Sequence, residues 1–248
     1  MTQLPHLLSQ LGSESRLSIL ETLKERRLGV LELSDELLIS SNEVVSGLSL
    51  LIEAKMVEAS ESGEYTDTGF GLMVLENLSP LRFIAMNREY LQTRDLSLVP
   101  MALQRGMDRM AKSEIISARS EEFANVKRYW INVLGDFSII TEAISPELAA
   151  LMTRMLSNKV KVRCIIPKDS NIELMKEVKE MEMVGMETRI LPSGRMLLHV
   201  APDFALLGLR KRNGGADPDH FLVSTEKEPI SWCRDLFAHH WSHSRPFR

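Results

Sequence analysis

From Val160 to Pro167 the chain reads VKVRCIIP, in which Val160, Val162, Cys164 and Ile166 alternate with Lys161 and Arg163 before a proline ends the run. Successive side chains of a strand point to opposite faces, so this period of two demands a half-buried strand with one apolar face to cover. The covering elements lie close by in sequence. Residues 146–156 have helical spacing with proline in the first turn, where its missing N–H costs nothing, and residues 171–184 are helical up to Gly185. Strand-like runs follow at 187–191, 196–200, 205–210 and 221–225. An amphipathic helix over 230–243 carries Trp232, Leu236, Phe237 and Trp241. Residues 115–118 read as a strand, 121–134 as a helix, and 138–144 as either. Helices interleaved with strands in this way predict an α/β domain.

The first third has a different rhythm. Ser13 is placed to cap a helix that carries Leu17, Leu20, Leu23 and Leu28, with Arg26 and Arg27 in its last turn and Gly29 as its stop. LELSDELL, residues 31–38, predicts a second short helix. Ser40 and Ser41 then lead into a third over 42–54, with Val44, Val45, Leu48, Leu51 and Ile52 as its apolar face. Met56, Val57 and Ala59 on one side of Ser60-Glu61-Ser62-Gly63-Glu64, and Tyr65 and Thr66 on the other, suit two short antiparallel strands around a glycine turn. Three helices followed by a hairpin is the order of a winged helix-turn-helix. Residues 68–94 are again helical, with a break expected at Ser79-Pro80, and 103–110 form a short helical pattern. The expected organisation is a winged helix-turn-helix DNA-binding domain at 1–78, a helical linker at 79–110, and an α/β ligand-binding or sensor domain at 111–248. A chain of 248 residues is long enough for two cores.

Charge is divided unevenly between these parts. Residues 1–78 hold five basic side chains against thirteen acidic ones, net −8, while the remaining residues are net +4. Phosphate backbones attract lysine and arginine, so an acidic first domain offers little non-specific grip on DNA. In a helix-turn-helix the N-terminal residues of the second helix reach base edges. Ser40, Ser41, Asn42, Glu43 and Ser46 occupy that place; serine and asparagine can hydrogen-bond bases or phosphates. Arg16, Arg26, Arg27 and Lys55, with Lys24, are the cations available for phosphate contacts. The tip of the hairpin carries Glu61 and Glu64, which repel DNA. A solvated helix face, or a winged helix used for protein contact, therefore stands beside the DNA-reading expectation.

Other features exclude more than they assign. Cys164 and Cys233 are too few and too far apart for a disulfide framework or a zinc site and read as buried thiols. His239, His240 and His243 share a helix without further ligands, which favours a structural role over a metal site. The fourteen methionines read chiefly as core. No cofactor is expected. The N-terminal residues lack the features of a secretory signal, and no apolar run approaches the roughly 20 residues of a membrane span, so a cytoplasmic protein is expected.

NREYLQTRDLSLVPMALQRGMDRM, SPELAALMTRMLSNKVKVRCIIPKD and HFLVSTEKEPISWCRDLFAHHW together resemble blocks of the archaeal winged-helix regulators typified by the methanogen filament-growth and methanogenesis regulator family. The resemblance covers nearly the whole chain, and its most specific parts are Asp95-Leu96-Ser97-x-x-Pro100 and the stretch from Trp232 to Phe237. It implies a transcriptional regulator that binds promoter double-stranded DNA as a homodimer and senses a small-molecule effector through its C-terminal part. That part also resembles, more distantly, phospholipase D-like sensor domains. Enzymes of that fold use His-x-Lys followed by Asp, because histidine attacks phosphorus while lysine neutralises phosphoryl charge. Here His199-Val200-Ala201-Pro202-Asp203 lacks the lysine, so the resemblance implies the fold without the activity. If the cleft is kept for a polar or anionic ligand, His199, Arg210 and Trp232 are its candidate binding residues. Arg163, Arg189 and Arg195 add positive charge near the strands, or else serve as solvent-facing partners on them.

Overall fold

The computed structural model describes residues 4–24, 26–120, 128, 133, 135–192, 194–213, 217 and 219–247. The chain divides into two units, Met1–Leu81 and Arg82–Arg248.

In the first unit, local side-chain chemistry sets the helix boundaries. The Ser13 hydroxyl accepts from the Arg16 N–H to start α2 (Glu14–Leu23). At the start of α3 (Val30–Leu37), the Glu32 carboxylate accepts from the Gly29 N–H at 2.7 Å. Leu38, in the left-handed conformation at φ 54°, ends α3. Ser40 then caps α4 (Ser41–Glu53) by accepting from the Glu43 N–H. A further helix, α1 (Leu4–Leu11), precedes these and was not expected from the sequence. Strands β1 (Val57–Ala59) and β2 (Tyr65–Asp67) pair antiparallel, and Leu28 bridges Tyr65 beside them. Ile19, Leu20, Leu33, Val44, Leu48, Leu51 and Met56 form the buried centre. Gly47 allows α2 and α4 to approach, since a Cβ there would lie 2.9 Å from Ile19 Cδ1.

Three expectations fail in this unit. The helix begun at Ser13 ends at Leu23, so Arg26 and Arg27 lie beyond it and not in its last turn, and Leu28 pairs with Tyr65 instead. Val45 is not on the buried face of α4 but 49% exposed, because Val44, Leu48 and Leu51 already fill the seam against α2 and α3. Nor does Pro80 break its helix: α5 runs from Gly69 to Met86 through it. Proline deprives the carbonyl four residues earlier of its donor, and that carbonyl belongs to Glu76, an exposed residue whose backbone water can serve. The start of α5 is pressed against the preceding chain. A Cβ at Gly71 would come within 2.1 Å of the Met56 carbonyl oxygen.

The second unit is a mixed α/β fold on an eight-stranded sheet of order β10-β6-β5-β4-β7-β8-β9-β3. The strands are β3 (Glu114–Ser117), β4 (Phe137–Ile140), β5 (Val162–Pro167), β6 (Glu187–Leu191), β7 (Leu197–Val200), β8 (Ala205–Gly208), β9 (His220–Ser224) and β10 (Arg245–Pro246). β4, β5 and β6 are parallel; the remaining pairings are antiparallel. Helices α8 (Pro146–Ser157) and α9 (Ile172–Glu182) make the crossovers, capped by Ser145 and Asn171. The chain then returns to the other side of β4 and reverses direction there. Phe137, Ile139, Cys164 and Ile166 face the core with α8 and α9. Ile140, Ile165, Leu198 and Leu207 face the opposite core with α10 (Lys227–His243). β5 is thus a central strand covered on both faces, not the half-buried strand its alternation predicts; Arg163 is the one residue of β5 that remains partly open.

Residues 82–110, expected to form a linker, contribute Phe83, Tyr90, Leu91, Val99, Met107 and Met110 to the core that holds Trp232, Leu236 and Phe237. The segment contains α6 (Arg88–Leu91), α7 (Met101–Arg105) and a 3-10 turn, Met107–Met110. The Asp95 N–H donates to the Arg210 carbonyl at 2.8 Å, and the Arg212 N–H to the Thr93 carbonyl at 3.0 Å. Trp232 Nε1–H donates to the Leu103 carbonyl (3.0 Å), and His240 Nε2 lies 2.8 Å from the Leu98 carbonyl oxygen. The first and last of the sequence blocks quoted above, residues 87–110 and 220–241, are therefore bonded to one another across more than a hundred residues. The helix expected over 121–134 lies, except for residues 128 and 133, outside the described residues. Among the described residues no helix is long and apolar enough to cross a membrane.

Candidate functional site

The surface that would face nucleic acid is the outer side of α4. Asn42, Glu43, Val45, Ser46 and Ser49 are exposed along it. Ser40 and Ser41 do less than their position suggests, because Ser40 caps α4 and the Ser41 hydroxyl bonds Ser34. Asn42 and Ser46 offer hydrogen bonding, and Val45 supplies the kind of apolar contact a thymine methyl takes. Two of the expected phosphate contacts are committed elsewhere. Arg16 Nε donates to the Gln10 carbonyl (2.5 Å) and its Nη2 to the Ser9 carbonyl (2.9 Å), neutralising the C-terminal end of α1. Arg26 is paired with Glu36. Arg27 is exposed, as is Lys55, which sits at φ 62° after α4. At the hairpin tip Ser60, Ser62 and Glu64 bond one another around Gly63 at φ 84°, leaving Glu61 and Glu64 exposed. Asp67, at the base of the hairpin, has both carboxylate oxygens buried without a hydrogen-bond partner. Burial raises its pKa to about 7 against the opposing pull of Lys24.

In the second unit a cavity of about 200 Å³ opens where β4 and β8 end and β7 begins. In sheets of this kind ligands bind outside the carboxyl ends of parallel strands where the strand order reverses, and β4 is that point here. Met196 and Leu197 give the cavity an apolar wall; Thr141, Glu142, Arg195, Arg210 and Asp217 give it a polar one. Arg195 is held between Glu142 (3.1 Å) and Asp169 (2.5 Å), and its hydrogen bond keeps the Asp169 carboxyl below the usual range. Asp217 is enclosed. Arg94 lies 2.5 Å from it, Lys211 and His220 Nδ1 at 3.3 Å, and the Asp219 N–H donates to it. Burial works to raise its pKa, but the Asp219 amide and the Arg94 and Lys211 cations outweigh it and leave the carboxyl lowered. Tyr90 covers Arg94, the ring centroid 4.2 Å from the guanidinium carbon. The loop before Arg195 closes tightly: Gly194 has φ 88°, and a Cβ there would meet Leu98 Cδ2 at 2.4 Å. A cavity with fixed charges of both signs suits a small zwitterionic or hydroxyl-rich molecule better than a bare anion.

Of the three candidate ligand residues, only Arg210 lines this cavity. His199 is 3% exposed and packs against Phe137, with ring centroids 5.9 Å apart; burial pushes its imidazole down to about 4, so it is neutral near pH 7. It lies near the other end of β7. Trp232 is fully buried in the α10 core. Arg189 donates to the Trp241 carbonyl at 2.7 Å and holds the end of α10. His239 and His243 stack with centroids 4.3 Å apart, and burial lowers His240 despite its bond to Leu98. Among the described residues no group of three His, Cys, Asp or Glu is arranged to hold a metal ion. Glu142 and Asp217 escaped sequence reasoning. The charged, glycine-bearing stretch GLRKRNGGADPD could have marked the surroundings of Asp217, but not which of its carboxylates turns inward.

No known family pattern and no curated protein matches the sequence. Among solved structures the fold is similar to TrmBL2, an archaeal chromatin protein, at 10% identity and a TM-score of 0.45, covering 89% of this chain and 88% of that one. It is similar to Nuc, a phospholipase D family member from Salmonella typhimurium, at 9% identity and a TM-score of 0.45, covering 55% of this chain and 97% of that one. A third similarity is to IclR from Thermotoga maritima, at 13% identity and a TM-score of 0.26, covering 96% of each chain.

Proposed function

We propose that this chain is a DNA-binding transcriptional regulator that acts as a homodimer on promoter double-stranded DNA, with a small-molecule effector bound by its second unit. The observation that carries the reading is the α3–turn–α4 pair followed by a hairpin, with Asn42, Val45 and Ser46 turned outward at the start of α4. Arg27 and Lys55 supply the phosphate contacts; Arg16 and Arg26 are engaged within the unit. Binding is therefore weakly electrostatic, and two half-sites held by a dimer make up what one head lacks. Fluorescence anisotropy with the chain's own promoter tests this. Binding at low salt with a shallow salt dependence is expected, and no binding at low salt would sink the DNA reading.

The effector occupies the cavity at the end of β4, with Arg210 and Glu142 as its polar contacts; burial removes His199 and Trp232 from that role. The Asp217–Arg94 pair joins the cavity wall to residues 82–110, the segment that follows the first unit in sequence, and gives an effector a route to bias DNA affinity. Arg210→Gln should leave basal DNA affinity in place and abolish its response to effector. A second reading, a winged helix that contacts protein, is favoured by the exposed Glu61 and Glu64 and by the neutralisation of Arg26. It predicts an α4 surface that captures a partner while ignoring DNA at any salt concentration.

A further inference from the structure

At the opposite end of β4 and β5 lies a second cavity, of about 290 Å³, where β7 ends. Asp136, Ser138, Arg163 and Pro202 line it together with Arg234 and Phe237 of α10. We propose that it binds a small organic oxyanion, a phosphate- or carboxylate-bearing metabolite that also carries an ammonium or hydroxyl group. The proposal is independent of whether the first unit binds DNA.

Arg163 shows why. Its guanidinium carbon stands 5.3 Å from the Phe237 ring centroid and 5.7 Å from that of Trp241, so the plane is fixed by aromatic contact. Its Nε is buried and makes no hydrogen bond. Among the described residues neither Arg163 nor Arg234 has an ion-pair partner, whereas Arg94, Arg109 and Arg195 are each tied to carboxylates. A buried donor without an acceptor is costly, and a ligand oxygen would satisfy it. Guanidinium forks match the paired oxygens of carboxylate and phosphate. Two arginines against Asp136 leave the cavity net positive. Asp136 itself repels a bare anion and accepts from an ammonium or hydroxyl on the same molecule, and Ser138, buried on β4, is placed to bond either part. The volume sits at the small end of ligand pockets, roughly 300–1,000 Å³.

Calorimetric titration of the full chain with O-phosphoserine, aspartate and inorganic phosphate tests this. O-phosphoserine or aspartate should bind more tightly than inorganic phosphate; the tighter of the two identifies the oxyanion as phosphate or carboxylate. Arg163→Lys, which keeps the charge and loses the fork, and Arg234→Gln, at an exposed position, should each weaken that binding about tenfold or more. Arg234→Gln should leave thermal unfolding in the absence of ligand unchanged. Three results would overturn the proposal: no probe binding at millimolar concentration, equal affinity in wild type and both variants, or binding lost in Arg210→Gln and kept in Arg163→Lys.

Discussion

The two units use arginine in opposite ways. In the first, the cations that a helix-turn-helix would turn towards phosphate are drawn inward: Arg16 to the carbonyls of Ser9 and Gln10, Arg26 to Glu36. In the second, Arg94 is buried against Asp217 and Arg195 clamps two carboxylates, yet Arg163 and Arg234 line a cavity with no ion-pair partner among the described residues. A count of charges per domain, −8 against +4 for the sequence segments 1–78 and 79–248, misses this distinction. What matters for a partner is which cations are already satisfied, and that depends on position.

The contrast can be broken most forcefully at Arg94. Removing one member of a buried ion pair leaves the other charge without compensation, so Arg94→Met should destabilise the second unit by about 3–5 kcal/mol, read from its urea transition. An unchanged midpoint would show that Lys211 and His220 suffice for Asp217.

Asp67 comes next. With its folded pKa near 7 and an ordinary carboxyl value when unfolded, the folded first unit holds a proton that the unfolded chain has lost between about pH 4 and 7. Stability should therefore fall as pH rises through that window and level off above it. After discounting for a residue whose oxygens are buried but which as a whole remains partly exposed, the fall is about 1–2 kcal/mol. Asp67→Asn should flatten the profile of the first unit's unfolding midpoint between pH 4.5 and 8; an unaltered slope would assign the effect to another group.

Lys55 sharpens the electrostatic side. Lys55→Gln should weaken DNA binding evenly across sequences and reduce the slope of log affinity against log salt by about one. The smallest effect belongs to Arg26→Gln. A surface pair contributes about 0–1 kcal/mol, and since Arg26 is already paired with Glu36, its loss should leave the salt slope of DNA binding where it was. A slope reduced as much as by Lys55→Gln would mean that Arg26 leaves Glu36 for phosphate.

Local chemistry made much of the fold legible. The cap at Ser13, the left-to-right order of three helices and a hairpin, and the strands β3 and β5 to β9 of the second unit follow from periodicity and hydrogen-bonding side chains a few residues apart, whereas the caps at Ser40, Ser145 and Asn171 and the short β10 were not expected from the sequence. Val45 misled because a helical apolar pattern one residue too wide does not say which edge stays wet. Residues 82–110 misled because short helices broken by Pro100 look the same whether they connect domains or fill one. The candidate ligand site was only partly visible: Arg210 was named, while Glu142 and Asp217 were not, and His199 and Trp232 turned out to be enclosed.

The sequence by itself determined the order of three helices and a hairpin between Ser13 and Thr66, the acidic bias of the first segment, and the polar, cation-poor start of α4, because these depend on neighbours within a turn or two. The tertiary structure alone decided that β5 is covered on both faces, that Asp95 bonds Arg210 and Trp232 bonds Leu103, and that Arg16 Nε finds an acceptor while Arg163 Nε does not. Those outcomes turn on which distant groups come within about 3 Å of each other, and no local propensity encodes a hydrogen bond between partners a hundred residues apart.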